Sequence, residues 1–191
     1  MANPARKRAT YEDLLALPEK VVGEIIAGEL VVSPRPGPPH TSASSRLGVK
    51  LGAPFDFGDG GPGGWWILDE PEIHFGADVV VPDLAGWRKN RMAELPKTAW
   101  FEVAPDWVCE ILSPSTARID RRDKLPLYAR AGIPAAWLLD PEARTLEALL
   151  LRDGTWTISA VHAGSDVARI PPFDAIAIDL AAIWGVPPEK K

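Results

Sequence analysis

The 191 residues suffice for one compact domain with its own core, and 46% apolar with 25% charged residues is the balance of a soluble globular chain. A formal net charge of -5 argues against a sequence-independent DNA coat, which needs a basic face, but leaves room for a nucleic-acid enzyme whose carboxylates lower the total. Cys109 is the single cysteine, so no intrachain disulfide can form, and its apolar neighbours mark it as a small buried hydrophobe rather than an activated thiol. The N-terminus carries basic residues without an apolar stretch, which is not a signal peptide. No run of about 18 apolar residues spans a membrane, and a reducing cytoplasm is the expected compartment.

In chain order, residues 1–9 read as a loose tail. Thr10 with Asp13 resembles a capping box opening a short helix over 11–17. Apolar runs at 24–26 and 30–32 flank Ala27-Gly28 as a hairpin. Residues 33–39, with four prolines, read as a loop, and 40–53 as an amphipathic helix. The stretch 58–64 matches GxGxxG literally, but it precedes a strand-like run instead of opening a helix, so it reads as a connector. Strands are expected at 65–68, 72–75, 79–81 and 84–87. A charged, proline-punctuated excursion over 88–105 follows, and then a central strand at 107–112. A helix over 119–131, ended by Gly132, leads to a buried strand at 135–139. Strands at 145–151 and 156–161 form a second hairpin, and a tail from 171 to 191 holds one short helix near 180–184. With no repeats and no dividing linker, the chain reads as a single mixed α/β domain. Eight tryptophans point to extensive packing.

No CxxC pair, P-loop, HExxH or GxSxG is present, and the three histidines, His40, His74 and His162, are too scattered to suggest zinc. What stands out is acid in apolar surroundings. Glu110 lies within Asp106-Trp107-Val108-Cys109-Glu110-Ile111-Leu112, where a carboxylate must be paired, hydrogen-bonded or bound to metal. A structural salt bridge is the open alternative. Asp83 follows Val79-Val80-Val81-Pro82 at the end of another apolar strand, where a plain turn residue is the alternative. On neighbouring strands, with side chains on one side of the sheet, the two carboxylates can converge on one Mg²⁺ or Mn²⁺. Asp120, Lys124 and Tyr128, spaced i, i+4, i+8, share one helical face. That face either brings an ammonium to a phosphate or is a solvated surface with a pair worth roughly 0.2–0.5 kcal/mol.

Pro82-Asp83 followed by Glu110 resembles the PD-(D/E)xK nuclease superfamily. More narrowly, the chain resembles the Uma-two family of restriction endonucleases. The carrying residues are Gly23 to Leu30, His40, Val81 to Ala85, Pro105 to Thr116, then Asp120, Lys124, Tyr128, Gly132 and Trp137 to Pro141. The resemblance covers roughly residues 10 to 160. It implies a restriction-endonuclease-like core, a central mixed β-sheet flanked by helices. It also implies Asp83 and Glu110 as catalytic metal ligands, with Glu24 at the N-terminal acidic position completing the set. His40, Asp120 and Tyr128 are further candidates. The chain departs from the superfamily at Leu112, where a lysine is expected two residues after the second acid. The resemblance transfers that role to Lys124.

Two functions are therefore open. One is a Mg²⁺-dependent DNA endonuclease that hydrolyses phosphodiester bonds. The other is a catalytically silent nuclease-like module that binds nucleic acid or a protein partner. The long apolar strands and the tryptophans suit a homodimer.

Overall fold

The computed structural model describes residues 8–185. Of the two expected tails, residues 1–7 and 186–191 lie outside the described residues. Helix α1 (Tyr11–Leu15) begins with the expected capping box: the Thr10 hydroxyl accepts from the Asp13 amide, and the Asp13 carboxylate accepts from the Thr10 amide at 2.8 Å. Strands β1 (Val21–Ile26) and β2 (Glu29–Pro34) form the first hairpin. Its turn residues, Ala27 (φ 54°) and Gly28 (φ 80°), both take the left-handed backbone that a two-residue turn needs.

Helix α2 (Pro38–Leu51) starts two residues earlier than the sequence indicates. Pro38 and Pro39 occupy its first turn, where an absent N–H costs nothing, rather than extending the loop. It continues into a π-helical stretch, Gly52–Phe57, that contains Pro54. The helix expected over 119–131 is likewise composite: α3 (Ala117–Ile119), a π-helical stretch Asp120–Lys124, and α4 (Leu125–Arg130). Pro126 accounts for the widened turn, because it can neither donate to the Arg122 carbonyl nor tolerate that oxygen at α-helical distance.

The remaining strands are β3 (Trp65–Asp69), β4 (Ile73–Phe75), β5 (Asp78–Val80), β6 (Leu84–Arg88), β7 (Trp107–Ile111), β8 (Ala135–Asp140), β9 (Thr145–Arg152), β10 (Thr155–Ala163), β11 (Val167–Ala168) and β12 (Ile178–Asp179). Helix α5 (Leu180–Ile183) ends the described chain. Six strands form the central sheet, ordered β10-β9-β8-β7-β6-β3. It is mixed: β7 and β8 run parallel, joined by the α3–α4 crossover, and the other pairs are antiparallel. A smaller antiparallel sheet, β2-β1-β5-β4, is hydrogen-bonded separately from it, and β11 pairs with β12. Among the described residues no helix is long and apolar enough to cross a membrane.

Alternation along β7 and β8 splits the core between the two sheet faces. Trp107, Cys109 and Ile111 join Trp137 and Leu139 against α2 and α5. Val108, Ala136 and Leu138 face the other way, against Leu125, Leu127 and Tyr128. Gly86 in β6 is required by close approach: a Cβ there would stand 3.2–3.3 Å from Ile67, Trp107 and Trp65. The segment read as a C-terminal tail contributes more than a short helix. Phe173, fully buried, packs with tilted or edge-on rings at centroid distances of 4.7–5.5 Å against Phe55, Trp65, Trp107 and Trp137, and Ile178, Leu180 and Ile183 are buried beside it. Tertiary contact, not local pattern, holds this segment.

Each aromatic pair adds about 0.5–1.5 kcal/mol beyond area burial. Phe173→Ala should therefore cost about 3–5 kcal/mol in urea unfolding, from lost contacts and the cavity left at the centre of four rings. A loss below about 1 kcal/mol would show that the segment is not part of the cooperative core.

Candidate active site

The site forms where the two sheets and the α3–α4 crossover meet. Glu24 comes from β1 in the small sheet and Glu110 from β7 in the central sheet. Asp83 immediately precedes β6, and the antiparallel register pairing Leu84 with Cys109 and Ala85 with Val108 continues to set Asp83 opposite Glu110. Directly opposed residues share one face, which here is the face of Val108, α4 and Tyr128. Glu24, Asp83, Glu110, Asp120, Lys124 and His40 all line one cavity of about 120 Å³.

Lys124 is the hub. Its ammonium lies 2.9 Å from Glu110 Oε1, 3.0 Å from Glu24 Oε1 and 3.8 Å from Asp120 Oδ1. The solvated face considered from spacing alone is not what forms, because the Lys124 side chain is only 4% exposed. Glu24 Oε1 also accepts the Val81 N–H at 2.8 Å, and the Tyr128 hydroxyl donates to Glu110 Oε1. Asp83 is held at both oxygens: Oδ2 accepts the Ile111 N–H at 2.7 Å, and Oδ1 faces His40 Nε2 at 3.1 Å. The other imidazole nitrogen of His40, Nδ1, is buried without a hydrogen-bond partner.

Electrostatics follow from this crowding. Burial pushes Glu110 well above the usual carboxylate range, with Lys124 opposing and the neighbouring acids adding to the rise. Burial also raises Asp120, to about 6, against the pull of Lys124. On Lys124 burial acts downward, but Glu110 and Glu24 outweigh it and hold the ammonium protonated. Burial likewise opposes the charged form of His40, and Asp83, Asp120 and Glu70 reverse that effect. Tyr128 is raised by burial and by Glu110. Cys109 is fully buried and its thiol is pushed up, in keeping with the inert role read from sequence.

Three buried carboxylates, Glu24, Glu110 and Asp120, thus share one buried ammonium. The carboxylate-rich, all-oxygen donor set suits a hard divalent cation. Among the described residues, however, no group of three or more His, Cys, Asp or Glu side chains is set up to hold a metal ion unaided. Glu24 and Glu110 both spend Oε1 on Lys124, and the directly opposed acids Asp83 and Glu110 form the pair that fits an ion best, with Glu24 beside them in the same cavity.

Three features escape sequence reading. Glu70 lines the cavity with a left-handed backbone (φ 45°), its amide donating to the Asp83 carbonyl at 3.1 Å. Arg35 lines the cavity from the proline-rich connector between β2 and α2. Ser113, Ser115 and Thr116 line it from the segment after β7, with Ser113 Oγ 2.9 Å from both neighbouring hydroxyls.

A family model described as "Uma2: Putative restriction endonuclease" matches residues 9–181. Among solved structures, the chain shares its fold with "a putative nuclease belonging to DUF820 from Anabaena variabilis ATCC 29413". The TM-score is 0.72 at 22% sequence identity, over 93% of this chain and 98% of that one. No curated protein matches.

The position of Asp120 gives a pH test. Its folded value, about 6, lies above its ordinary 3.8, so its contribution to stability is complete below pH 3.8 and is lost as pH rises through 6. Asp120→Asn, which cannot ionise, should escape that loss. In metal-free buffer the variant's unfolding free energy relative to wild type, read from urea unfolding, should climb between pH 4 and pH 7, by up to a few kcal/mol at about 1.4 kcal/mol per unit of displacement. A flat difference across that range would mean that Asp120 is not held in its neutral form by burial.

Proposed function

The chain belongs to the Uma2 family of restriction-endonuclease-like proteins, and on that premise we propose that it is a divalent-metal-dependent endonuclease hydrolysing phosphodiester bonds in DNA. The observation that carries the reading is the arrival of Lys124, from a helix, on Glu110 inside the cavity that Asp83 also lines. Leu112 stands two residues after the second acid, where the superfamily pattern has lysine, and Lys124 brings an ammonium to the same carboxylate from another element.

Asp83 and Glu110 are the residues that would hold Mg²⁺ or Mn²⁺, with main-chain carbonyl and water oxygens filling the remaining positions. Once bound, such an ion polarises a phosphoryl oxygen and makes a water acidic enough to attack at neutral pH. The chain's own groups do the rest. Lys124, kept protonated by its acidic neighbours, offers N–H donors to oxygen on which negative charge grows during in-line displacement. Burial makes that contact stronger than it would be in water. Tyr128 fixes Glu110 through Oε1, and the Ile111 amide with His40 fixes the Asp83 carboxylate, so both acids keep their orientation as substrate arrives. A catalytically silent module is favoured by two observations: Lys124 already compensates Glu24 and Glu110 without help from an ion, and among the described residues no group of three or more side chains is set up to hold one.

Supercoiled plasmid should be nicked or linearised with Mg²⁺ or Mn²⁺ and left intact with EDTA. Asp83→Asn and Glu110→Gln should lose calorimetric Mn²⁺ binding together with cleavage. Lys124→Met, which keeps the buried stem, should retain Mn²⁺ binding but cleave roughly 10²–10³-fold more slowly. It should also unfold more easily, by up to about 3–5 kcal/mol, because Glu24 and Glu110 lose their counter-charge. Intact plasmid with both ions, from folded wild-type protein, would transfer the reading to the silent module.

A further inference from the structure

The cavity grades sharply from floor to rim. Its floor is Glu24, Glu110, Asp120 and Lys124, all buried, and its rim includes Pro34, Arg35, Gly37, Glu70 and Ser115, all exposed. At about 120 Å³ it is far smaller than the roughly 300–1,000 Å³ of sites that engulf a small molecule. A phosphate-sized group can enter, but a nucleotide cannot be enclosed, so the rest of a polymer must lie across the rim. That approach is electrostatically difficult. Five carboxylates line the cavity, from Glu24, Glu70, Asp83, Glu110 and Asp120, and Lys124 is already shared among three of them. Of the cationic residues among the described lining, Arg35 alone is exposed.

Arg35 is also held in place. It stands between Pro34 and Pro36, whose rings fix the backbone on either side. One guanidinium nitrogen, Nη2, donates to the Glu19 carbonyl at 2.9 Å, which orients the planar group while leaving most of its five donors uncommitted. The rim also carries the linked hydroxyls of Ser113, Ser115 and Thr116, which can turn to donate to a phosphate oxygen.

Resting on the nuclease reading above, we propose that Arg35 grips a backbone phosphate of duplex DNA next to the scissile one, seating the strand over the acidic cavity without reading its sequence. A phosphate contact fixes register and orientation but carries no base information, so its loss weakens every sequence alike.

The test compares wild type, Arg35→Gln, Arg35→Lys and, as a control from the opposite end of the central sheet, Arg152→Gln. Labelled duplexes of two unrelated sequences are bound by the full chain with Ca²⁺ present, between roughly 50 and 200 mM salt. Arg35→Gln should weaken binding roughly five- to ten-fold for both duplexes and reduce the slope of log K against log salt by about 1. Arg35→Lys should restore the slope but not the full affinity, and Arg152→Gln should match wild type. In cleavage with Mg²⁺, most of the Arg35→Gln loss should fall on KM. An unchanged slope in Arg35→Gln, or a loss confined to one duplex, overturns the proposal while leaving the nuclease reading intact if the plasmid is cut. A reduced slope with an uncut plasmid upholds the grip and overturns the nuclease reading. A wild type that neither binds nor cuts overturns both.

Discussion

The buried ammonium of Lys124 is the constraint on which the rest of the site depends. A lysine 4% exposed is tolerable only where acids surround it, and the acids that do so lie on three separate elements. Glu24 belongs to the small sheet, Glu110 to the central sheet, and Asp120 to the crossover that carries Lys124 itself. One cation thus ties together units that share little local sequence. Coulomb attraction in a low-dielectric pocket offsets the loss of hydration chiefly through Glu110 and Glu24, at 2.9 and 3.0 Å, with Asp120 farther off. The hydrogen bonds from Val81 and Tyr128 to the same carboxylate oxygens fix the geometry further.

The aromatic slab on the other face of the central sheet complements this polar hub. Trp107, Cys109 and Ile111 alternate with Val108 and Glu110 along one strand, so the residue that presents an acid to the cavity stands on a backbone anchored from behind by Trp137 and Phe173. Cys109, opposite Leu84 in the register, fills the layer directly beneath the paired acids. Its raised thiol keeps a reactive sulfur out of the chemistry above it.

The two acids were legible in the sequence because each ends or interrupts an apolar run, and such runs mark central strands whatever their partners. The central mixed sheet with flanking helices, the capping box at Thr10 and both hairpin turns were legible for a similar reason: each rests on short-range rules. What could not be read was tertiary. The helix bearing Asp120 and Lys124 is charged along most of its length, so its spacing alone leaves a solvated face open beside the site reading, because the partners that bury it, Glu24 and Glu110, lie far away in sequence. Phe173 sits in a proline-rich stretch with no periodicity, so its place among four rings had no local sign. The division of strands into two sheets depends on which edges meet, which alternation alone does not encode. Arg35 and Glu70 reach the cavity from connectors, where sequence pattern is weakest.

The π-helical stretch Asp120–Lys124 acts as a phase adjuster. In a regular α-helix a step of four residues overshoots a full turn by about 40°, so residues i, i+4 and i+8 drift around the cylinder. Widening one turn absorbs part of that drift and brings Asp120, Lys124 and Tyr128 nearer a single line facing Glu110. The proline that forces the widening, Pro126, points nothing at the cavity and is exposed. A residue with no chemistry of its own thereby sets the angular alignment of three that have it, and a helix without that proline could carry the same side chains in the same order yet aim them along a spiral.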